Sequence, residues 1–106
     1  MSRPSTVSIS DRQRRWLKAQ SHHRKPVVSV GQAGITESLL AELEGALAHH
    51  ELLKVKVAAG DRELRDSIIE RMLEATGADL VNRIGNVAVL YRANPKKRSP
   101  LELPQG

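Results

Sequence analysis

The sequence predicts an α/β fold, a single compact domain whose elements run α-β-α-β-α-β-β around a small four-stranded mixed sheet. Three observations predict it. Leu39, Leu40, Leu43, Ala46 and Leu47, and again Leu64, Ile68, Ile69, Met72 and Leu73, recur at helical spacing. Leu53-Lys54-Val55-Lys56-Val57 alternates strictly, as a strand with one buried face does. Gly85-Asn86 joins two β-favouring runs, Leu80–Ile84 and Val87–Tyr91, as a two-residue hairpin turn.

Taken in order, Met1 to Ile9 is polar and carries Pro4, and is expected to be poorly ordered. Ser10 caps a first helix from Asp11 to about Ser21, with Asp11 suiting its positive end. A helical wheel puts Trp16 and Leu17 on the docking side and Arg14, Arg15 and Lys18 on the opposite side as a basic ridge. His22-His23-Arg24-Lys25 carries the charge on to Pro26, which opens a strand through Val30. Gly31-Gln32-Ala33-Gly34 then turns the chain towards Thr36, the cap of a helix reaching about His50, with Ile35 and Leu40 placed as a hydrophobic staple. Strand, helix and strand make a βαβ unit, whose strands run parallel with a right-handed crossover.

Asp61 caps the third helix and Gly77 follows it. In the final hairpin Ile84 is expected opposite Val87, Leu80 opposite Tyr91 and Val81 opposite Leu90. Apolar residues fall on both of its faces, so the pattern leaves open which face is core. Residues 93–106, with Lys96-Lys97-Arg98 between two prolines, give no periodic reason to pack and are expected to form a flexible basic tail.

Composition narrows the function. The 106 residues are 40% hydrophobic with no cysteine, which excludes disulfides and thiolate metal sites. No run approaches the roughly 20 apolar residues of a membrane span, and no apolar leader segment opens the chain, so a cytoplasmic location is expected. Charge is segregated: +6 over residues 1–34, −5 over 35–79 and +4 over 80–106, giving +5 in all. Such a chain can present one basic and one acidic surface, as polyanion binders do. With no Phe, one Tyr and one Trp, and Trp16 read as core, stacking platforms for bases are scarce. Phosphate and shape recognition fits better.

The glycine loop is the sharpest local feature. A turn of this kind bares main-chain amides, and a following helix start favours an anion. It lacks the Lys-Ser/Thr of a P-loop and the third glycine of a dinucleotide site. His22-His23 and His49-His50 do not converge on a metal, since neighbours diverge by about 100° on a helix, and His50-Glu51 has no accompanying nucleophile. No enzyme activity, metal or cofactor is expected.

Lys25-Pro26-Val27-Val28, Gly31-Gln32-Ala33-Gly34-Ile35-Thr36, His50 to Lys56, Thr76-Gly77, Ile84-Gly85-Asn86 and Leu90-Tyr91-Arg92 together resemble the CRM domain (chloroplast RNA splicing and ribosome maturation), in its stand-alone bacterial YhbY-like form. The likeness covers roughly residues 10–92, between the two flanking segments. It implies a fold similar to the C-terminal domain of translation initiation factor three, RNA as partner, and a role on precursor large-subunit ribosomal RNA within the pre-ribosomal particle. It also implies that the loop from Gly31 to Gly34 contacts RNA. Many relatives carry Lys or Arg between these glycines, whereas Gln32 and Ala33 stand here, which leaves amides and neighbouring cations to hold the phosphate. The expected surface is therefore Arg14, Arg15, Lys18, Arg24, Lys25, Gly31, Gln32, Ala33, Gly34, Lys54 and Lys56, on a monomer. Two alternatives are a DNA-binding or nucleoid protein and a protein-interaction module using the acidic helices.

Overall fold

The computed structural model describes residues 9–58, 60–98 and 101–105. Its elements are α1 (Asp11–Ser21), β1 (Pro26–Val30), α2 (Glu37–His50), β2 (Leu52–Val57), α3 (Arg62–Thr76), β3 (Asp79–Ile84) and β4 (Val87–Tyr91). The sheet order is β1-β2-β4-β3, with β1 parallel to β2 and the other pairs antiparallel. A small mixed sheet with three helices is thus the architecture the sequence predicts.

Short polar side chains set the helix starts. Ser10 and Gln13 cap α1 reciprocally, the Gln13 amide donating to Ser10 Oγ at 3.1 Å and the Ser10 amide to Gln13 Oε1 at 3.0 Å. Thr36 and Asp61 accept from the amides of Leu39 and Leu64, each at 3.0 Å. Each cap satisfies a donor that the helix itself leaves unpaired.

The sheet separates two apolar layers. On one face Val28, Val30, Leu53, Val55, Val57, Ala88 and Leu90 pack against Leu39, Leu43 and Leu47 of α2 and Ile68, Ile69 and Met72 of α3. On the other, Leu17 of α1 meets Leu52, Val81, Val89 and Tyr91, with Trp16 and Ile9 alongside. Leu17 is fully enclosed, and burying a leucine is worth about 1.5–3 kcal/mol. This layer answers the question left by the hairpin: both its faces are core. The hairpin register also differs from expectation. Ile84 pairs with Val87, but Leu80 pairs with Leu90 and Asp79 with Tyr91. A shift between Leu80 and Asn82 moves the far end by one residue, as a β-bulge does, and Val81 joins Val89 in the second layer.

In the segment after β4, expected to be a flexible tail, Leu101 and Leu103 pack against this second layer, while residues 99, 100 and 106 lie outside those described. What holds it is Glu51, at the α2–β2 junction with φ 62° and 1% exposed. Its carboxylate accepts from the Asn94 and Leu101 amides, each at 2.8 Å, and Lys97 Nζ stands 3.7 Å away. Its carbonyl accepts from the Arg92 amide at 2.9 Å. Gln13 Nε2 adds a bond to the Pro104 carbonyl at 3.0 Å. Two leucines in a proline-rich segment carry no periodic signal, so composition alone reads them as solvated. Burial, followed by the nearby carboxylates of Glu51 and Asp79, raises the Tyr91 phenol above its ordinary value. Of the N-terminal segment expected to be poorly ordered, residues 1–8 lie outside those described.

Candidate nucleic-acid interface

Strand β1 delivers the chain to the turn Gly31–Gly34, closed by the Gly34 amide donating to the Gly31 carbonyl at 3.0 Å. Gly34 has φ +72°, in the left-handed region, whereas Gly31 does not. A Cβ at Gly31 would find no atom within 4 Å. Its missing side chain therefore relieves neither backbone strain nor an internal clash. It leaves the main chain open to approach from outside. Gln32 and Ala33 are exposed beside it. The start of α2 contributes less than the sequence suggests. Thr36 already takes the Leu39 amide, and Glu37 places a carboxylate in the first turn. The loop amides and nearby cations are left to face an anion.

Strand alternation arranges those cations. Lys54 and Lys56 point away from α2 and α3, since Leu53, Val55 and Val57 fill that layer. Lys56, exposed, pairs with Ser29, and Lys54, half-buried, pairs with Pro26. Exposed Lys25 precedes Pro26. Lys25, Lys54 and Lys56 therefore follow the β1–β2 ladder from its start towards the glycine loop. Five strand residues span about 16 Å, a length that several phosphates of one chain can cover. Arg15 and Lys18 are exposed on α1.

Two predicted cations are turned inward. Arg14 donates through Nη1 to the Leu80 carbonyl, tying α1 to β3. It lies three residues before Leu17, and that spacing puts both on the sheet-facing side of the helix. The wheel assignment of Arg14 to the outer ridge is thereby corrected. Arg24 donates through Nη1 to the Leu52 carbonyl at 2.7 Å. With Lys25, Val27, His50, Leu52 and Leu53 it lines a pocket of about 220 Å³, so its role is at least partly architectural.

Other cations escaped the sequence reading. Gln32, Ala33, Gly34 and Ile35 form one wall of a cleft of about 250 Å³ whose other wall is Leu64, Ser67, Ile68 and Arg71 of α3. Arg62, Arg65 and Arg83 gather with Gly85 around a second hollow of about 360 Å³. The balance of −5 over residues 35–79 concealed Arg62, Arg65 and Arg71, because net charge per segment says nothing about which face each charge occupies.

His50, at the end of α2, is held below its ordinary pKa by desolvation first and then by His49, Arg24 and Lys97. Because folding depresses this base, the unfolded chain takes up the proton first as pH falls. Stability is therefore expected to decline as pH drops below about 6.5, the ordinary histidine value. Thermal melts across that range should show a smaller decline in His50→Gln; identical profiles would dismiss the effect.

Among the described residues no group of three or more His, Cys, Asp or Glu could hold a metal ion. No helix there is long and apolar enough to cross a membrane.

Known proteins are similar to this chain in sequence and in fold. An RNA-binding protein of Haemophilus influenzae is 46% identical over 99 residues, covering 93% of this chain and 98% of its own length. A Pseudomonas aeruginosa protein, named a probable RNA-binding protein, is 41% identical over 95 residues, covering 90% and 91%. The solution structure of a Staphylococcus aureus protein thought to bind RNA superposes with a TM-score of 0.77 at 31% identity, covering 92% of this chain and all of that one. The CRS1/YhbY (CRM) domain model matches residues 9–92, from the residue before the α1 cap to the end of the sheet. With that span and those identities, the chain belongs to the CRS1/YhbY (CRM) domain family.

Proposed function

We propose that this protein is a non-enzymatic RNA-binding factor that grips the backbone of large-subunit ribosomal RNA during assembly of the pre-ribosomal particle. The Gly31–Gly34 loop supplies main-chain amides. Lys25, Lys54 and Lys56 line the approach along β1–β2, and Arg15 and Lys18 add charge from α1. The carrying observation is Gly31, whose bare backbone serves no need inside the fold and stands at the end of the lysine-bearing ladder. The RNA-binding relatives support the choice of polyanion, and the family resemblance supports the ribosomal setting.

Neutralising about five phosphates of single-stranded RNA gives an expected log–log salt slope of about −3.5. Filter binding over a range of salt measures it, and a flat dependence would eliminate an electrostatic clamp. Competition among ribosomal RNA, duplex DNA and single-stranded DNA tests the partner, with ribosomal RNA expected to win. Preference for duplex DNA would favour a nucleoid role. Co-sedimentation with precursor large subunits tests the setting.

A further inference from the structure

The end of the sheet that carries the glycine loop carries more than the loop. The Val57 amide donates to the Asn86 carbonyl at 2.7 Å and the Ala58 amide to the Val30 carbonyl at 2.8 Å. These bonds bring the β3–β4 turn, the end of β1 and the chain leading into α3 to one edge. The cleft beside the loop uses Leu64, Ser67 and Arg71 of α3. The arginine hollow uses Arg62 and Arg65 of the same helix, together with Arg83 and Gly85 from the hairpin. The two hollows thus share neighbouring stretches of α3.

Resting on the RNA-binding reading above, we propose that the hollow walled by Arg62, Arg65 and Arg83 takes a backbone phosphate of the bound RNA, as a second anchor beyond the glycine loop. Of the three cations, only Arg83 has a carboxylate partner among the described residues, Asp66. Arg62 is exposed. Arg65 spends Nη1 on the Gly60 carbonyl at 3.0 Å, while its Nε is enclosed without an acceptor among the described residues, so the side chain must turn to present it to a phosphate in the hollow. A buried donor without an acceptor is uncommon in folded proteins. A phosphate supplies several acceptor oxygens, and guanidinium groups match its geometry through paired N–H donors. The site also meets a local deficit. Gln32 and Ala33 bring no cation to the loop, and α3 places two arginines on the same edge.

The test is titration with a short single-stranded RNA oligomer, reading affinity at several salt concentrations and the arginine Nε–Hε resonances. In the parent protein the Arg65 Nε–Hε signal is expected to shift on RNA addition. Arg62→Ala, at an exposed position, should keep the parent melting temperature, flatten the salt slope by about 0.7 and weaken binding about fivefold. Arg65→Lys, which keeps the charge and removes Nε, should weaken binding less. If the parent binds and both variants match it in affinity and slope while the Arg65 signal stays still, this anchor is overturned and the loop reading survives. If the parent binds no RNA, both fall.

Discussion

Glu51→Ala is expected to lower stability by about 3 kcal/mol and the melting temperature by about 15 °C. The carboxylate is buried and serves the amides of Asn94 and Leu101. Removing it strands two partly buried donors, at about 1–3 kcal/mol each if water does not replace the carboxylate. Glu51→Gln keeps one carbonyl oxygen and should lose less. Glu51→Gly strands the same amides but relaxes a backbone held at φ 62°, so it should fall between alanine and the parent. Calorimetry ranks the series, and hydrogen exchange at Asn94 and Leu101 should accelerate in step. An alanine variant as stable as the parent, with unchanged exchange at those amides, would remove Glu51 from its holding role.

Gly31→Asp is expected to weaken RNA binding at least about tenfold, or roughly 1.4 kcal/mol, while leaving stability within about 0.5 kcal/mol. The site has open space and an ordinary φ, so the fold has no reason to object. A carboxylate there would repel the proposed phosphate. Gly34→Asp should weaken binding similarly but also cost about 1 kcal/mol of stability, because its backbone is left-handed. Lys25→Glu should weaken binding with the fold intact. Arg14→Ala gives the opposite pattern: its guanidinium is engaged by the Leu80 carbonyl, so stability suffers before affinity. Electrophoretic mobility shifts paired with thermal melts separate these outcomes. Parent-like binding by Gly31→Asp and Lys25→Glu together would remove the loop and ladder as the RNA contact.

The regular elements were legible because each is specified locally. Ser10, Thr36 and Asp61 mark helix starts within three residues of the amides they cap, and β2 announces itself by alternation alone. The misreadings share a different cause. Arg14 could not be placed until the sheet beneath α1 existed, for its acceptor is 66 residues away. The hairpin slip near Val81 depends on which residues both neighbouring layers accept. Leu101 and Leu103 pack because of a carboxylate 50 residues earlier, which no local pattern encodes. For the candidate site, the lysine ladder and the loop follow from strand period and turn chemistry. The α3 arginines became visible only once β3 and β4 closed the hollow against them.

The long reach of Glu51 bears on how the molecule is made. A nascent chain can build the α2–α3 side of the sheet as soon as Tyr91 has emerged, but the opposite side waits for Leu101 and Leu103. Until then the layer of Leu17, Leu52, Val81, Val89 and Tyr91 lacks part of its cover. Cutting at Arg92, where the family match stops, is therefore expected to yield a sticky, less soluble product. Extending the cut to Gln105 should restore it.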